Sequence, residues 1–375
     1  MNFSIFSSNL KPRRWFRLAL CGVGLIVACL LGVNLLIDPY DYFGVSPLHQ
    51  QVQTNERVWK ADYLKQHHNQ FDAYILGSSI ASQLDPKLAG ELTGNRFYNL
   101  TMSGANSYDF ELFVRHMLEQ NYPIKRLLIV FDMSIFWSYG ESGRAYESNH
   151  PIVSGDSSVE FYASYLTQIH FWGTADKIRL NLGQIPPPPH SSYDRSTGTY
   201  QYGHRMRMIE EDEEAFLADS RTLNENYLLR TERPTENFEA SMAAFTRLLE
   251  LCREHQIQVD LFIPPHNYNY MNRILFNQYA EYLRALTELS SFWNFSGYRE
   301  SNLDNHLFFD SMHFRPNIGD LVLQRIYNDG DPADEGFGDW VDRETVEAHL
   351  ETKRREFEHA DTLFPTYAEK KAQAK

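Results

Sequence analysis

The sequence predicts an α/β fold: a three-layer, mainly parallel sheet flanked by helices, behind an N-terminal transmembrane helix. Three observations lead there. Strand-like apolar runs alternate with helical patterns through most of the 375 residues, the order of a sheet wound with right-handed crossovers. The run "IKRLLIVFDMS" (124–134) has a continuous apolar centre, as a strand covered on both faces requires. "LALCGVGLIVACLLGVNLLI" (18–37) contains one Asn and no charge, and about twenty helical residues span roughly 30 Å, one bilayer core.

The chain is read in order as a basic cytoplasmic N-terminus (1–17), a transmembrane anchor (18–37), an α/β domain (38–330) and a charged C-terminal tail (331–375). Lys11, Arg13, Arg14 and Arg17 precede the apolar run and the next Lys or Arg is Arg57. The positive-inside rule therefore places the N-terminus in the cytoplasm and everything after Asp38 outside it. Other readings of the segment are a cleaved signal peptide, a lipoprotein box at "IVAC" ending on Cys29, and a twin-arginine signal at "RRWF". Each of these also leaves the bulk of the chain outside the cytoplasm.

After the turn-rich "DPYDYFGV" (38–45) comes a helical stretch near 55–68 and then the first strong strand, "FDAYILGSS" (71–79). "LDPKLAGELTG" reads as a helix stopped by Gly94, and "NRFYNLTMSGANS" as a second strand ending in a Gly-containing turn. "YDFELFVRHMLEQ" is a helix, 124–134 the third strand, and "MAAFTRLLELCREHQ" with "IQVDLFIPP" repeats the helix–strand order. "PNIGDLVLQRIY" is a last helix, followed by charged sequence suited to an outer helix and a Lys-rich end. Residues 135–235 break this rhythm with "PPPP" (186–189) and "SSYDRSTGTYQYGHR", and are expected to be a long insertion serving as a lid or binding surface.

Composition narrows the function. Hydrophobic residues make up 43% of the chain, enough for a large core, and the formal net charge of −14 argues against a nucleic-acid partner. Part of that charge, "EEDEE" (210–214), reads as a solvated helix start or loop. Of the three cysteines two lie in the apolar run, so Cys252 has no partner within the soluble part and is expected to be a packing residue.

In an open parallel sheet, ligands bind outside the carboxyl ends of the strands. Three such ends carry polar turns: "LGSSI" with Gly77, Ser78 and Ser79; "MSGANS" with Ser103, Gly104 and Asn106; and "FDMS" with Asp132. Near the end of the domain "FFDSMHFRPNIGD" sets Asp310 three residues before His313, ahead of a helix. Gathered at one edge, these supply a nucleophile, a base and an orienting carboxylate. Helix capping explains each feature equally well when taken alone. No third ligand accompanies Asp310 and His313, so no metal is expected, and nothing implies a cofactor.

"YILGSS", "YNLTMSGANS" and "DSMHFRPNIG" resemble the first, second and fifth blocks of the SGNH (GDSL-like) esterase and acyltransferase superfamily, whose sheet is flavodoxin-like. The likeness is to its membrane-anchored, outward-facing branch, which includes the D-alanyl-lipoteichoic acid and alginate acetylation proteins. It covers about 70–134 and 255–325. The resemblance implies Ser79 as nucleophile, His313 as base and Asp310 as its orienting partner. The N–H groups of Ser79 and Gly104 would form the oxyanion hole. The third block's Asn is missing, because the strand end reads "FDMS", so Asn106 is the candidate substitute. Ser78 stands where the block has Asp and is the second candidate nucleophile; Ser78, Asp132 and His266 (in "IPPHNYNY") are candidate substrate contacts. "SGDSS" (154–158) reads as loop, Asp304/His306 in "LDNH" as the second-ranked acid–base pair, and the aromatics of "FWSYG" and "YQYGHR" as packing or sugar-stacking residues.

The expected activity is serine-dependent acyl transfer, of acetyl in the first instance, or ester hydrolysis on a cell-envelope polysaccharide or glycolipid. A membrane partner would pass acyl groups outward, and residues 18–37 would hold the chain in the bilayer. The alternative is a catalytically silent scaffold of the same fold that binds polysaccharide or assembles an export complex.

Overall fold

The computed structural model describes residues 12–133, 138–188, 192–328 and 336–373. Lys11, Trp137 and Pro189 lie outside the described residues. The chain forms two units: the N-terminal residues up to Asn55 with Gly155–Pro187, and Glu56–Ser154 with Pro188–Lys375.

The first unit is built on helix α1 (Pro12–Ile37). It is long and apolar enough to cross a membrane, and its apolar side chains, such as Leu25 and Ile26, are exposed. Two helices from the middle of the sequence, α5 (Ser158–Thr167) and α6 (Phe171–Asn181), pack on it. Just past α1, the buried Asp38 carboxylate accepts the backbone N–H groups of Tyr42, Phe43 and Gly44 and the hydroxyl of Tyr165. "DPYDYFGV" is thus a turn closed by its first residue.

The second unit is the α/β body. Its helices, in chain order, are α2 (Glu56–His67), α3 (Pro86–Thr93), α4 (Ser107–Glu119), α7 (Gly203–Asp219), α8 (Phe238–Glu254), α9 (Phe276–Thr287), α10 (Pro316–Tyr327) and α11 (Val346–Leu363). Its strands are β1 (Ala73–Leu76), β2 (Phe97–Asn99), β3 (Arg126–Val130), β4 (Gln258–Ile263), β5 (Phe292–Asn294) and β6 (Asp339–Val341). The sheet order is β2-β1-β3-β4-β5-β6, parallel throughout except for β6. The five parallel strands follow the 2-1-3-4-5 order of a doubly wound sheet, whose switch point lies between β1 and β3.

Period-two alternation splits the core. Tyr74, Leu76, Leu127 and Ile129 point to the face covered by α2, α4, α8, α9 and α11, while Ala73, Ile75, Leu128 and Val130 point to the face covered by α3 and α10. Cys252 is a buried packing residue of the first of these cores, and burial pushes its thiol up to about 12.

Two expectations change. Residues 339–363, assigned to a charged tail outside the domain, supply the antiparallel edge strand β6 and the core-covering helix α11. The insertion is also not one element: Gly155–Pro187 belongs with α1, whereas 192–235 returns to the α/β body through a two-residue hairpin (Ser192–Tyr193 with Tyr200–Gln201) and α7.

Candidate active site

Close backbone packing creates the exit from β1. A Cβ on Gly77 would lie 2.9 Å from Ala81 Cβ and 3.1 Å from Val130 Cβ, so only glycine lets the chain turn this tightly against β3. Ser79 begins a single 3₁₀ turn (Ser79–Ala81), and the helix read in "LDPKLAGELTG" follows from Pro86 with Asp85 as its cap. Asn99, buried at the end of β2, donates to the carbonyls of Ser82 and Leu84 and fixes the far side of that turn.

The turn presents Ser79 to the late Asp–His loop. Ser79 Oγ lies 3.0 Å from His313 Nε2, and His313 Nδ1 lies 2.8 and 3.0 Å from the two oxygens of Asp310. With Nδ1–H donating to the carboxylate, Nε2 is the acceptor facing the serine hydroxyl. Asp310 Oδ1 also accepts the N–H groups of Met312 and His313, so this carboxylate closes its own turn. It does not cap α10, whose N-terminal residue before Pro316 is Arg315. Burial opposes the Asp310 charge, but His313 and Arg205 outweigh it and hold this carboxyl well below the usual range.

Sequence reasoning missed Arg205. From the first turn of α7 its Nη1 donates to Asp310 Oδ2 at 2.7 Å, and its guanidinium lies over the Tyr202 ring. Tyr202 is fully buried, stacked on Phe309 and 5.4 Å from the His313 ring. The aromatic "YQYGHR" therefore backs the Asp–His loop and does not present Tyr200 or Tyr202 to a sugar. A cleft of about 530 Å³ opens beside this loop, lined by Arg205, Met208, Phe216, Phe309, Met312 and His313 among others. Replacing Arg205 with Met leaves Oδ2 without its charged donor. The expected loss of stability is about 1–3 kcal/mol, read as a lower urea midpoint with an unchanged m-value, and Arg205→Lys should recover part of it.

The other candidates lie around this line in different settings. Ser78 donates to Asp132 Oδ2 at 3.3 Å, and Ser78, Asp132 and His266 are all at least nine-tenths buried. Ser78 and Asp132 line a small pocket with Ala105, Asn106 and Phe110. Asn106 caps α4 through its carboxamide oxygen, and its amide donates to Ser138 Oγ and the Gly140 carbonyl, so it is committed to the loop and not to an oxyanion. Gly104 adopts φ +64°, the left-handed region glycine favours, and its Cα faces the Glu147 carboxylate, which is paired with Arg144. Asp304 binds the His306 N–H, and His306 pairs with Glu213, with no serine in that set. Ser157 of "SGDSS" caps α5. Among the described residues no three His, Cys, Asp or Glu groups are arranged to hold a metal ion.

A buried polar network grips the turn that carries Gly104. Glu56 accepts the N–H (2.6 Å) and the hydroxyl (3.1 Å) of Ser103; Lys60 donates to the carbonyls of Asn99 and Thr101; Arg57 donates to the Ser103 carbonyl and doubly to Asp109. Burial raises the Glu56 carboxyl and lowers the Lys60 ammonium from their ordinary values. The first turns of α2 are therefore specialised to clamp one loop, at the cost of desolvating four charges.

His266 makes a separate prediction. Its ring lies 4.3 Å from that of Tyr270, neither ring nitrogen has a well-formed hydrogen bond, and Asp132, the Met312 backbone and His313 are the polar groups acting on it. Burial pushes its pKa down to about 4. The unfolded value is about 6.5, so the unfolded chain takes up this proton first as pH falls. This contribution is complete above about pH 6.5 and is lost toward pH 4, by up to about 3 kcal/mol. Denaturant titrations between these pH values should show that loss, and His266→Phe should remove it.

A scan against protein-family models finds no match to this chain, and a search of curated proteins finds no significant match.

Proposed function

We propose that this protein is an SGNH-type serine acyltransferase or esterase, anchored by α1 and facing outward, acting on an acylated cell-envelope polysaccharide or glycolipid. One observation carries the reading: Ser79 Oγ, both imidazole nitrogens of His313 and the Asp310 carboxylate form an unbroken hydrogen-bonded line at 3.0 and 2.8 Å. The position of Ser79 just past the carboxyl end of β1, at the edge where doubly wound sheets bind ligands, supports the same reading.

In this scheme Ser79 Oγ bonds to the acyl carbonyl carbon while its proton passes to His313 Nε2. The tetrahedral centre then expels the substrate's alkoxide, which takes that proton, leaving an acyl-serine. An acceptor hydroxyl or water gives its proton to Nε2 and attacks, and collapse frees Ser79 with the proton returned. Asp310 holds the ring and balances the imidazolium. Arg205 holds Asp310. With Asn106 committed to the loop, backbone N–H groups are the oxyanion donors in this reading, those of Ser79 and Gly104 being the candidates.

The test is intact mass of the full chain in detergent after a fluorophosphonate probe. A single adduct is expected, absent from Ser79→Ala and His313→Ala and retained by Ser78→Ala. A folded wild-type protein that takes no adduct would transfer the weight to a silent polysaccharide-binding scaffold.

A further inference from the structure

The first unit carries an apolar surface that the catalytic reading does not use. Between Glu160 and Asp176 the fifteen residues "FYASYLTQIHFWGTA" contain no Asp, Glu, Lys or Arg. They form the end of α5, the joint and the start of α6. At the joint Ile169, Phe171 and Trp172 are 78%, 62% and 75% exposed. Large apolar side chains this exposed on a soluble surface mark a contact site.

The position of the joint identifies what it contacts. The amide of Asn34, the polar residue within the apolar stretch of α1, donates to the carbonyls of Tyr165, Leu166 and Gln168, pinning the joint to the last turn of α1. Immediately beyond α1, Tyr42 stacks on Tyr165 at 3.9 Å and Tyr40 meets the His170 ring at 5.4 Å. Lys177 from α6 donates to the Asp38 carbonyl. Asn34 is three residues from the end of α1 at Ile37, about 4.5 Å along the helix axis. Ile169, Phe171 and Trp172 therefore sit at the level where α1 leaves the hydrocarbon. On α1 itself Val33 and Leu36, next to Asn34 and near the helix end, are exposed as well, and Trp at that depth is a typical interfacial residue.

We propose that the α5–α6 joint is a membrane-contact element, with Ile169, Phe171 and Trp172 seated in the outer interface of the bilayer that α1 spans. The inference rests on the reading of α1 as a membrane anchor. It gives Asn34 a role as well: its amide finds three carbonyls at the interface, and those contacts hold the joint at a fixed depth.

The experiment uses the full chain with Cys21 and Cys29 replaced by Ser. It is labelled with an environment-sensitive fluorophore at Ile169→Cys, at Leu25→Cys in α1, or at the exposed Lys87→Cys, and placed singly in phosphatidylethanolamine–phosphatidylglycerol nanodiscs with or without doxyl-labelled lipid. A label seated about 5–10 Å into the headgroup–acyl boundary emits to the blue and loses emission to the doxyl lipid. The expected result is quenching at positions 25 and 169 and none at 87. Quenching at 25 alone would overturn the inference and leave the anchor intact. Quenching at neither would overturn both. A blue-shifted label at 169 that doxyl lipid does not quench would mean that protein, not lipid, covers the joint, and would also overturn the inference.

Discussion

Ser79→Ala and His313→Ala should each lower turnover of model acyl esters by roughly 10⁴-fold or more, and the double variant should be no worse than either single one. On the proposed reading Ser79 and His313 are nucleophile and base and act as a unit, so once one is gone the other has nothing left to contribute. The geometry sets the order of the remaining variants. Asp310→Asn keeps a side chain of the same shape but removes the charge that faces Nδ1–H, Arg205 and two backbone N–H groups. It should cost roughly 10³–10⁴-fold through the wrong imidazole tautomer, together with a looser 310–313 turn. Ser78→Ala should change turnover little, because its hydroxyl is turned to Asp132. Rates and probe labelling must agree: if Ser78→Ala silenced both while Ser79→Ala kept them, the assignment of the nucleophile would be wrong.

The parts of this site legible in the sequence are those coded locally. Gly77 and the serines after it end the short apolar run "AYIL", and Asp310 and His313 lie three apart, so each half of the line announced itself as a short motif. Their meeting, across more than two hundred residues, follows from strand order, since β1 and the loop after β5 open at the same edge. Arg205 gave no such signal. It lies within irregular sequence, and its partner is 105 positions away. The network of Glu56, Arg57 and Lys60 has no mark within the helical stretch near 55–68, because burial, not composition, defines it.

Helix α11 shows a different failure. Val346, Leu350, Phe357 and Ala360 form a buried stripe at helical spacing, but Lys353 occupies the middle of it. That lysine is fully buried and paired with Glu356. In sequence it reads as one more charge in "ETKRREFEH", which is why a core helix passed for a tail. The fifteen uncharged residues around the α5–α6 joint were legible too, but they were grouped with an insertion that is divided between the two units.

Asp109→Ala should be the most destabilising single change outside the hydrophobic core, at about 3–5 kcal/mol. The Asp109 carboxylate takes Arg57 Nε and Nη2 at 3.0 and 2.9 Å, the N–H of Asn106 at 3.1 Å and the amide of Asn149 at 3.1 Å, and both it and Arg57 are almost completely buried. Truncation strands a guanidinium in the interior and opens the cap of α4 together. Against a typical total of about 5–15 kcal/mol, that is a large fraction of the stability. Arg57→Met with Asp109→Leu should cost less than Asp109→Ala alone, because a charge pair replaced by apolar groups leaves no uncompensated ion. The cap and the Asn149 contact stay lost in both, so recovery should be partial. Urea midpoints of the two singles and the double decide this, with an additive double variant counting against the pair as one unit. Activity separates positioning from folding. Arg57 also holds the Ser103 carbonyl, so the double variant, even where fully folded, should label more slowly with the serine probe, because the turn bearing Gly104 has lost one of its clamps.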